Sequence, residues 1–424
     1  MHTMNSGERH HSAVYYALAA ACLLFLSWAI WVNARDGISS ALLRRVPTDA
    51  VGLSKLDLAM KLSPANSRPY NLRALYLLEA GRDTEAERDF ESAVIRRPHD
   101  YLLWLRLGDA REGVGDDQGA VAAYQESIRL APSYAKPHWY LGTLWLRIGK
   151  REVAFPEMRK AARVEPAFWS YLIQYAWQEY KGDTEAVRRA VQPDSQENSL
   201  ALVAFFLEQG KISEAMELYR SAGTIDEQGQ EELLARLIQV KAFKQAYEVW
   251  ARGRGLNTST GSTMISNGGF ENTIDSGGLS FDWRVLNVEK VRVARDPTEP
   301  NSGSYSLRLD FEGNSPSTEF LSQVFLVDHG TRYQLTFAAR TQDLVTGGLP
   351  LFEVIDASNN QSLGAVRVSG EKTSGWQSYS LEFAATDTTD AVSILIKRGN
   401  CSSSPCPAFG HIWFDDVVCR KLGA

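Results

Sequence analysis

The sequence predicts a multidomain chain with a single N-terminal membrane helix, an all-α repeat solenoid and an all-β sandwich. Three observations favour this fold class. Residues 13–32 contain no charged side chain, the prolines at 64, 98, 132 and 166 are 34 residues apart, and apolar and polar residues alternate from Met264 onward. A chain of 424 residues has room for more than one domain, because domains usually hold about 100 to 200 residues.

The composition excludes several classes of protein. Hydrophobic residues make up 44% and charged residues 23% of the chain, which are values of globular rather than disordered or polytopic membrane proteins. The 45 basic and 51 acidic residues give a net charge of −6. Since nucleic-acid affinity comes largely from basic contacts with phosphate, we expect no nucleic-acid partner.

The apolar run 13–32, which follows a short tail at 1–12, predicts a transmembrane helix. Twenty helical residues rise about 30 Å, the thickness of the hydrocarbon core. Tyrosines lie near one end of the run and tryptophans near the other, as expected for rings in the two headgroup layers. A cleaved signal peptide is the alternative, but its apolar region usually holds about 7 to 15 residues, so the length favours an uncleaved anchor.

Two observations on the orientation of this helix disagree. Three arginines between residues 35 and 45 outnumber Arg9, which by the positive-inside rule would keep the C-terminal side in the cytoplasm. Cys401 and Cys406 enclose a short Ser/Pro loop that suits a disulfide in an oxidising compartment, with two unpaired thiols as the alternative. We predict the disulfide, and we expect the C-terminal domains on the periplasmic side of a bacterial inner membrane.

Residues 33–255 predict the solenoid. Glycine, alanine, aromatic and proline residues recur at the same offsets in neighbouring 34-residue segments, as in Trp104, Leu107, Gly108, Gly115, Ala120, Tyr124 and Pro132. This pattern resembles the tetratricopeptide repeat family, most clearly over 67–100, 101–134 and 135–168. A small residue such as Gly108 lets the two helices of a repeat approach closely, and the stacking of successive pairs forms the core.

In the tetratricopeptide family the first helices of the repeats line a concave groove that binds peptides. The resemblance therefore implies a protein partner and places Arg68, Asn71, Leu105, Lys136 and Trp139 on the binding surface. The alternative is that these residues are solvated or contact the neighbouring domain. Trp139 is the strongest candidate, because exposed aromatic residues are enriched at binding hot spots.

After a linker at 256–263, residues 264–424 predict a β-sandwich. Alternation in YSLRLDF, YQLTF and VSILI is typical of half-buried strands. Three segments occur here in the order found in galactose-binding-like jelly-roll carbohydrate-binding modules, which this domain resembles. They are the Asn-Gly-Gly-Phe-Glu opening at 267–271, the Gly-Trp pair at 375–376 and the Ile-Trp-Phe-Asp-Asp-Val segment at 412–417.

That resemblance implies a sugar ligand and a structural calcium ion. Trp283, Phe352 and Trp376 are the candidates for stacking on a sugar, with a place in the core as the alternative. Glu271 and Asp415 would supply carboxylate ligands to calcium, with backbone carbonyls near 301–303. The alternative is that Glu271 caps a turn and Asp415 belongs to a solvated strand end.

The sequence contains no GxSxG, HExxH, CxxC or GxxxxGK[ST] motif, so we expect no enzyme activity. Together these features predict a membrane-anchored, non-catalytic adaptor whose solenoid binds a protein and whose sandwich binds a glycan, in bacterial envelope polysaccharide assembly or export. The alternative is a purely structural scaffold whose sandwich binds no sugar.

Overall fold

The computed structural model describes residues 6–44, 46–47, 50–223, 225–256, 264–274, 281–314, 319–370, 372–401 and 406–423. Internal contacts divide the chain into two compact units, Met1–Gln192 and Pro193–Ala424. The change from helices to strands falls inside the second unit. The predicted linker 256–263 lies almost entirely outside the described residues.

The described part of the first unit consists of helices joined by short turns. Its ten helices are α1 (Ser6–Leu42), α2 (Ala50–Leu62), α3 (Ser67–Glu79), α4 (Asp83–Arg96), α5 (Tyr101–Gly113), α6 (Asp117–Leu130), α7 (Ala135–Arg147), α8 (Arg151–Val164), α9 (Phe168–Glu179) and α10 (Thr184–Val191).

Helix α1 is longer than the predicted apolar span 13–32 at both ends, continues about three turns beyond residue 32 and packs on α2. Residues 15–42 of this helix include an 18-residue stretch with a mean hydropathy of 1.9, which is long and apolar enough to cross a membrane. Near its end, Ser39 is buried and donates to the Ala59 carbonyl at 3.1 Å, and Leu43 and Leu56 are buried together beside it. The end of the apolar helix is therefore also the partner of α2.

The helix pairs α5/α6 and α7/α8 show why the repeat positions are small or large. A Cβ on Gly108 of α5 would lie 2.4 Å from the ring of Tyr124 in α6, and one on Gly142 of α7 would lie 2.4 Å from Met158 in α8. Tyr124 and Met158 are both fully buried. The glycines are thus required by the close approach of two helices, as the sequence pattern predicts.

The helix ends follow from local hydrogen bonding. Asp100 and Asp116 cap α5 and α6 by accepting the backbone N–H groups of Leu102 and Gly119 at 3.1 and 2.9 Å. Gly115, which follows α5, has a φ of 84°, a left-handed value that suits glycine and turns the chain back toward α6.

The described part of the second unit contains four helices and ten strands. The helices are α11 (Gln196–Glu208), α12 (Ile212–Ser221), α13 (Glu227–Gln239) and α14 (Phe243–Gly253); the strands are β1 (Arg284–Val285), β2 (Val291–Asp296), β3 (Ser306–Asn314), β4 (Glu319–Leu326), β5 (Arg332–Thr346), β6 (Pro350–Asp356), β7 (Ser362–Arg367), β8 (Ser374–Ala384), β9 (Ala391–Arg398) and β10 (Pro407–Lys421).

The described strands form two five-stranded sheets with the orders β1-β4-β9-β6-β7 and β2-β3-β10-β5-β8. The described neighbouring strands pair in antiparallel fashion. Aromatic rings from both sheets meet in the core, where Phe352 of β6 stacks on Phe337 of β5 at 3.8 Å and contacts Phe414 of β10. The alternation in the sequence therefore corresponds to strands with one inward face.

Helix α14 packs on the sandwich through aromatic and charged contacts. Phe281 is buried against Tyr247 and Trp250 of α14, with ring centroids 5.1 and 5.7 Å apart. Trp250 also donates to Asp282 at 3.1 Å, and Arg254 forms an ion pair with the same carboxylate. This packing explains why the last helices and the sandwich belong to one compact unit.

Candidate functional site

Four aromatic side chains form a groove on the first helices of two neighbouring repeats, which we call the aromatic groove. Trp139 of α7 stacks on Phe168 of α9 at 4.5 Å and an interplanar angle of 18°, and the edges of Tyr171 and Tyr175 lie 6.2 and 5.9 Å away. The spacing of 168, 171 and 175 places all three rings on one face of α9. The groove encloses about 840 Å³.

The aromatic groove remains open to solvent. Tyr171 and Tyr175 are 53% and 39% exposed. Charged and polar side chains surround the rings: Glu112, Lys136, Thr143, Arg147, Gln178 and Glu179. Flat rings inside a polar rim are suited to hold apolar side chains of an extended segment while the rim binds its backbone and charges.

A buried histidine fixes the start of α7, which carries Lys136 and Trp139. His138 Nδ1 lies 2.6 Å from Glu157 of α8, and its Nε2 lies 3.0 Å from the Pro132 carbonyl. The hydrogen bond to Glu157 raises the pKa of His138, against the opposing effect of burial. Because both ring nitrogens face acceptors, the protonated imidazole satisfies both.

The structure brings two of the five predicted groove residues together. Lys136 and Trp139 line the aromatic groove. Arg68 is exposed on α3, whereas Asn71 accepts a hydrogen bond from Arg106 at 2.6 Å. The assignment of Leu105 to a binding surface is wrong. This side chain is only 6% exposed, because it packs in the cluster formed by α5, α6 and α7.

The sequence analysis missed Phe168, Tyr171 and Tyr175. These residues follow Pro166, where the repeat pattern loses its register and equivalent positions cannot be assigned by counting 34 residues. The available signal was the run FWSYLIQYAW, in which aromatic residues recur at helical spacing. That signal alone does not distinguish an exposed aromatic face from a buried one.

Two of the three predicted sugar-stacking residues lie in the core, which corrects that assignment. Trp283 is 2% exposed, packs on Phe270 at 5.5 Å and donates its indole N–H to the Asn267 carbonyl. Phe352 is completely buried between the sheets. Neither ring has a free face, so neither can stack on a sugar.

Trp376 lies instead at the surface of the second sheet and is partly exposed. The pairing of β5 and β8 shifts register between Ala339 and Thr341, and Trp376 lies at this irregularity opposite Arg340. The Arg340 guanidinium is 5.6 Å from the Trp376 ring and 4.1 Å from the buried Trp413 ring. Trp376 thus retains one accessible side next to a cation.

The predicted calcium ligands hold backbone amides. The buried Asp415 Oδ2 accepts the N–H groups of Asn301 and Ser302 at 2.9 and 3.1 Å, and Glu271 Oε1 accepts those of Ser304 and Tyr305 at 2.9 and 3.2 Å. Burial raises the pKa of Asp415, while these hydrogen bonds oppose the shift. The two carboxylates therefore fix the 301–305 segment from both sides.

A guanidinium lies beside the predicted calcium ligands. Arg295 donates to the carbonyls of Phe270 and Glu271 at 2.8 and 2.5 Å, and its guanidinium lies 3.8 Å from the Tyr305 ring. Calcium takes about six to eight oxygen ligands. The observed donors favour the alternative in which Glu271 and Asp415 fix a turn, and a calcium ion at these residues stays a prediction.

The structure joins Cys401 and Cys406 in a disulfide, the pair predicted from the sequence, with the Cα atoms 6.1 Å apart. The loop residues 402–405 between them lie outside the described part of the chain. Of the other two cysteines, Cys22 is exposed and Cys419 is buried. Burial raises the pKa of Cys419 to about 12.

Comparisons with known proteins support the repeat assignment. No protein-family model matches the chain. Protein FlbA of Caulobacter vibrioides is 31% identical over 93 residues, which is 22% of this chain and 16% of FlbA. Tetratricopeptide repeat protein 33 of Mus musculus is 30% identical over 80 residues (19% and 30%), and the Hsp70-Hsp90 organizing protein of Triticum aestivum is 37% identical over 75 (18% and 13%). The matches thus span less than a third of these relatives.

Solved structures are similar at lower identity. A MamA fragment from Desulfovibrio magneticus is 18% identical with a TM-score of 0.33, covering 46% of this chain and 97% of the fragment. A structure described as "CBM4 structure and function" is 17% identical with a TM-score of 0.30, covering 37% of this chain and 99% of that one. These scores are too low to carry a functional argument. The sequence relatives support a tetratricopeptide-repeat solenoid.

Proposed function

We propose that this protein is a membrane-anchored, non-catalytic adaptor whose solenoid binds an extended segment of a protein partner in the aromatic groove. The observation that carries the proposal is the set of four clustered rings on α7 and α9, two of which are 53% and 39% exposed. Open aromatic surface of this kind is a usual anchor point for a partner. The name of one relative, Hsp70-Hsp90 organizing protein, likewise refers to two other proteins.

Site-specific photo-crosslinking tests this proposal. A photo-reactive residue at Tyr175, at the edge of the groove, is expected to capture the partner in intact cells. The same residue at Val164, which is 50% exposed on α8 and does not line the groove, is the matched control. Trp139→Ala should remove the Tyr175 product, because loss of a central aromatic anchor costs about 2 kcal/mol, a decrease in affinity of roughly 30-fold.

Equal products from both positions, or a Tyr175 product that persists in the Trp139→Ala chain, would contradict binding at the groove. Far-UV circular dichroism of the variant serves as the folding control. Trp139 is half-buried, so the variant is expected to keep the helical signal.

The anchor in this proposal is α1, with the remaining domains on the periplasmic side of a bacterial inner membrane. The apolar stretch within residues 15–42 and the burial of Ser39 against α2 support an anchor that continues into the folded unit. A cysteine introduced at Ile95, which is 77% exposed, tests the orientation. Labelling by a membrane-impermeant maleimide in intact spheroplasts is the expected result, and labelling only after lysis would place the domain in the cytoplasm.

We further propose that the sandwich, read as a jelly roll, binds a glycan at Trp376, consistent with a role in envelope polysaccharide assembly or export. The supporting observation is the accessible Trp376 ring beside Arg340, since sugars are held by flat aromatic faces and neighbouring polar groups. The purely structural scaffold remains the competing function, in which Trp376 only supports the strand edge through its bond to the Glu299 carbonyl.

A glycan array separates these two functions. The fragment used should start at Pro193, because α14 packs on the sandwich within one compact unit. Binding that is lost in Trp376→Ala but kept in Phe409→Ala, another exposed aromatic of the sandwich, would support the glycan proposal. An array without binding, or equal losses in both variants, would favour the scaffold.

A further inference from the structure

A buried guanidinium lies against the disulfide. Arg398, at the end of β9, is 2% exposed, and its Nη2 lies 2.8 Å from Cys406 Sγ and 3.6 Å from Cys401 Sγ. The same nitrogen donates to the carbonyls of Cys406 and Pro407 at 2.7 and 3.1 Å, and Nε donates to Thr346 Oγ1 at 3.1 Å. These neutral acceptors fix the cation closer to Cys406 than to Cys401.

The disulfide also packs on the backbone of two glycines, Gly347 and Gly348. A Cβ on Gly347 would lie 3.2 Å from Cys406 Sγ, and one on Gly348 would lie 2.9 Å from Cys401 Sγ. The two glycines therefore let the sulfurs approach the turn that follows β5. Since Arg398 is held by this turn and by β10, we expect it to keep its place after the S–S bond is broken.

The disulfide is also accessible. Both cysteines are partly exposed, whereas the Arg398 side chain beneath them is buried. Nearby, Phe409 of β10 and Val345 of β5 are cross-strand partners that are 51% and 52% exposed. This pair offers apolar contact area for a partner that approaches the sulfurs.

We propose that Cys401–Cys406 is a thiol–disulfide exchange site for a protein dithiol and that Arg398 stabilises Cys406 as the leaving thiolate. A thiolate of the dithiol attacks Cys401 Sγ, a mixed disulfide forms, and the electron pair of the broken S–S bond goes to Cys406 Sγ beside Nη2. The second thiol of the partner loses its proton and attacks the partner's first sulfur, which is bonded to Cys401 Sγ in the mixed disulfide. The partner leaves oxidised by two electrons, and Cys401 leaves as a thiolate that takes up a proton.

The physical basis is the effect of a fixed cation on a thiolate. A neighbouring arginine lowers the pKa of a cysteine from its usual value of about 8.5, and a leaving thiol of lower pKa leaves faster. The interaction is strengthened in this site because the cation is largely removed from water. Cys401 lies farther from the cation, so the two thiols should differ.

Alkylation of single thiols in the full chain tests this inference. In a Cys22→Ser background, Cys401→Ser leaves Cys406 and Cys406→Ser leaves Cys401, while the buried Cys419 stays unreactive. With iodoacetamide at pH 6.5, Cys406 should react at least tenfold faster than Cys401. Arg398→Gln should abolish this difference, and Arg398→Lys, which keeps the charge, should retain part of it.

Equilibration of the chain that retains both cysteines with reduced and oxidised dithiothreitol gives a second measurement. Arg398→Gln should lower the equilibrium constant for reduction at least tenfold, a potential change of about 30 mV. Equal alkylation rates of Cys401 and Cys406 in the chain with Arg398 intact would overturn the inference, whether or not the Arg398→Gln chain folds. An unchanged equilibrium constant in a folded Arg398→Gln chain would overturn it as well.

Discussion

Gly108→Ala should destabilise the solenoid although alanine is the better helix former. The added Cβ would lie 2.4 and 2.5 Å from two ring atoms of Tyr124, whereas carbon atoms in contact are about 3.5 to 4 Å apart. Tyr124 cannot easily move, because it is fully buried and donates to Glu112 at 2.9 Å. Overpacking of this kind costs about 1 to 3 kcal/mol, and we take the upper end because a rigid ring must shift by more than 1 Å.

The gain in helix propensity is at most about 1 kcal/mol, so the expected net loss is about 2 kcal/mol in the free energy of unfolding. Gly113→Ala in the same helix is the matched control. Its Cβ would come no closer than 3.8 Å to Asp83, and it should leave the stability unchanged or raise it. Urea unfolding followed at 222 nm measures both variants. A Gly108→Ala chain as stable as the Gly113→Ala chain would refute the packing argument.

Three further predictions concern other contacts. Glu157 raises the pKa of His138 above the unfolded value of 6.5, so the contribution of protonated His138 to stability is complete below pH 6.5 and is lost as the pH rises through the folded pKa. In urea titrations, the wild type should therefore be more stable than His138→Gln at low pH and lose this difference at higher pH. Added calcium should leave the melting temperature of the wild type unchanged. The Arg295→Gln variant should melt at a lower temperature than the wild type, because the carbonyls of residues 270 and 271 lose their donor. Trp250→Ala should weaken the packing of α14 by about 2 kcal/mol, seen as faster hydrogen exchange in residues 243–253 with the β-strands unchanged.

The sequence is most informative where a residue's neighbour is set by the repeat itself. The repeat pattern places Gly108 and Tyr124 16 residues apart, and the turn between the two helices brings these positions into contact. The predicted strands around residues 305–311, 333–337 and 392–396 follow from an equally local rule. In each case one periodicity determines which residues face each other.

The candidate sites were harder to predict because they depend on contacts between distant residues. Alternation indicates that Phe352 and its neighbours at even spacing share a face, but not whether that face is the core or the surface. The calcium expectation used Glu271 and Asp415 without Arg295, whose contact with the Glu271 carbonyl spans 24 residues and leaves no pattern in the sequence. Carboxylates alone do not reveal which donors will satisfy them.

The position of Leu105 shows the same limit inside the repeats. Asn71, Leu105 and Trp139 occupy equivalent positions 34 residues apart, yet the first pairs with Arg106, the second is buried and the third lines the aromatic groove. The repeat determines where the backbone places each residue, whereas the neighbouring side chains determine its exposure. Trp139 reaches a groove because α9 presents aromatic rings at helical spacing just where the regular pattern ends. The aromatic groove therefore arises where one repeat departs from the regular pattern, at Phe168, Tyr171 and Tyr175.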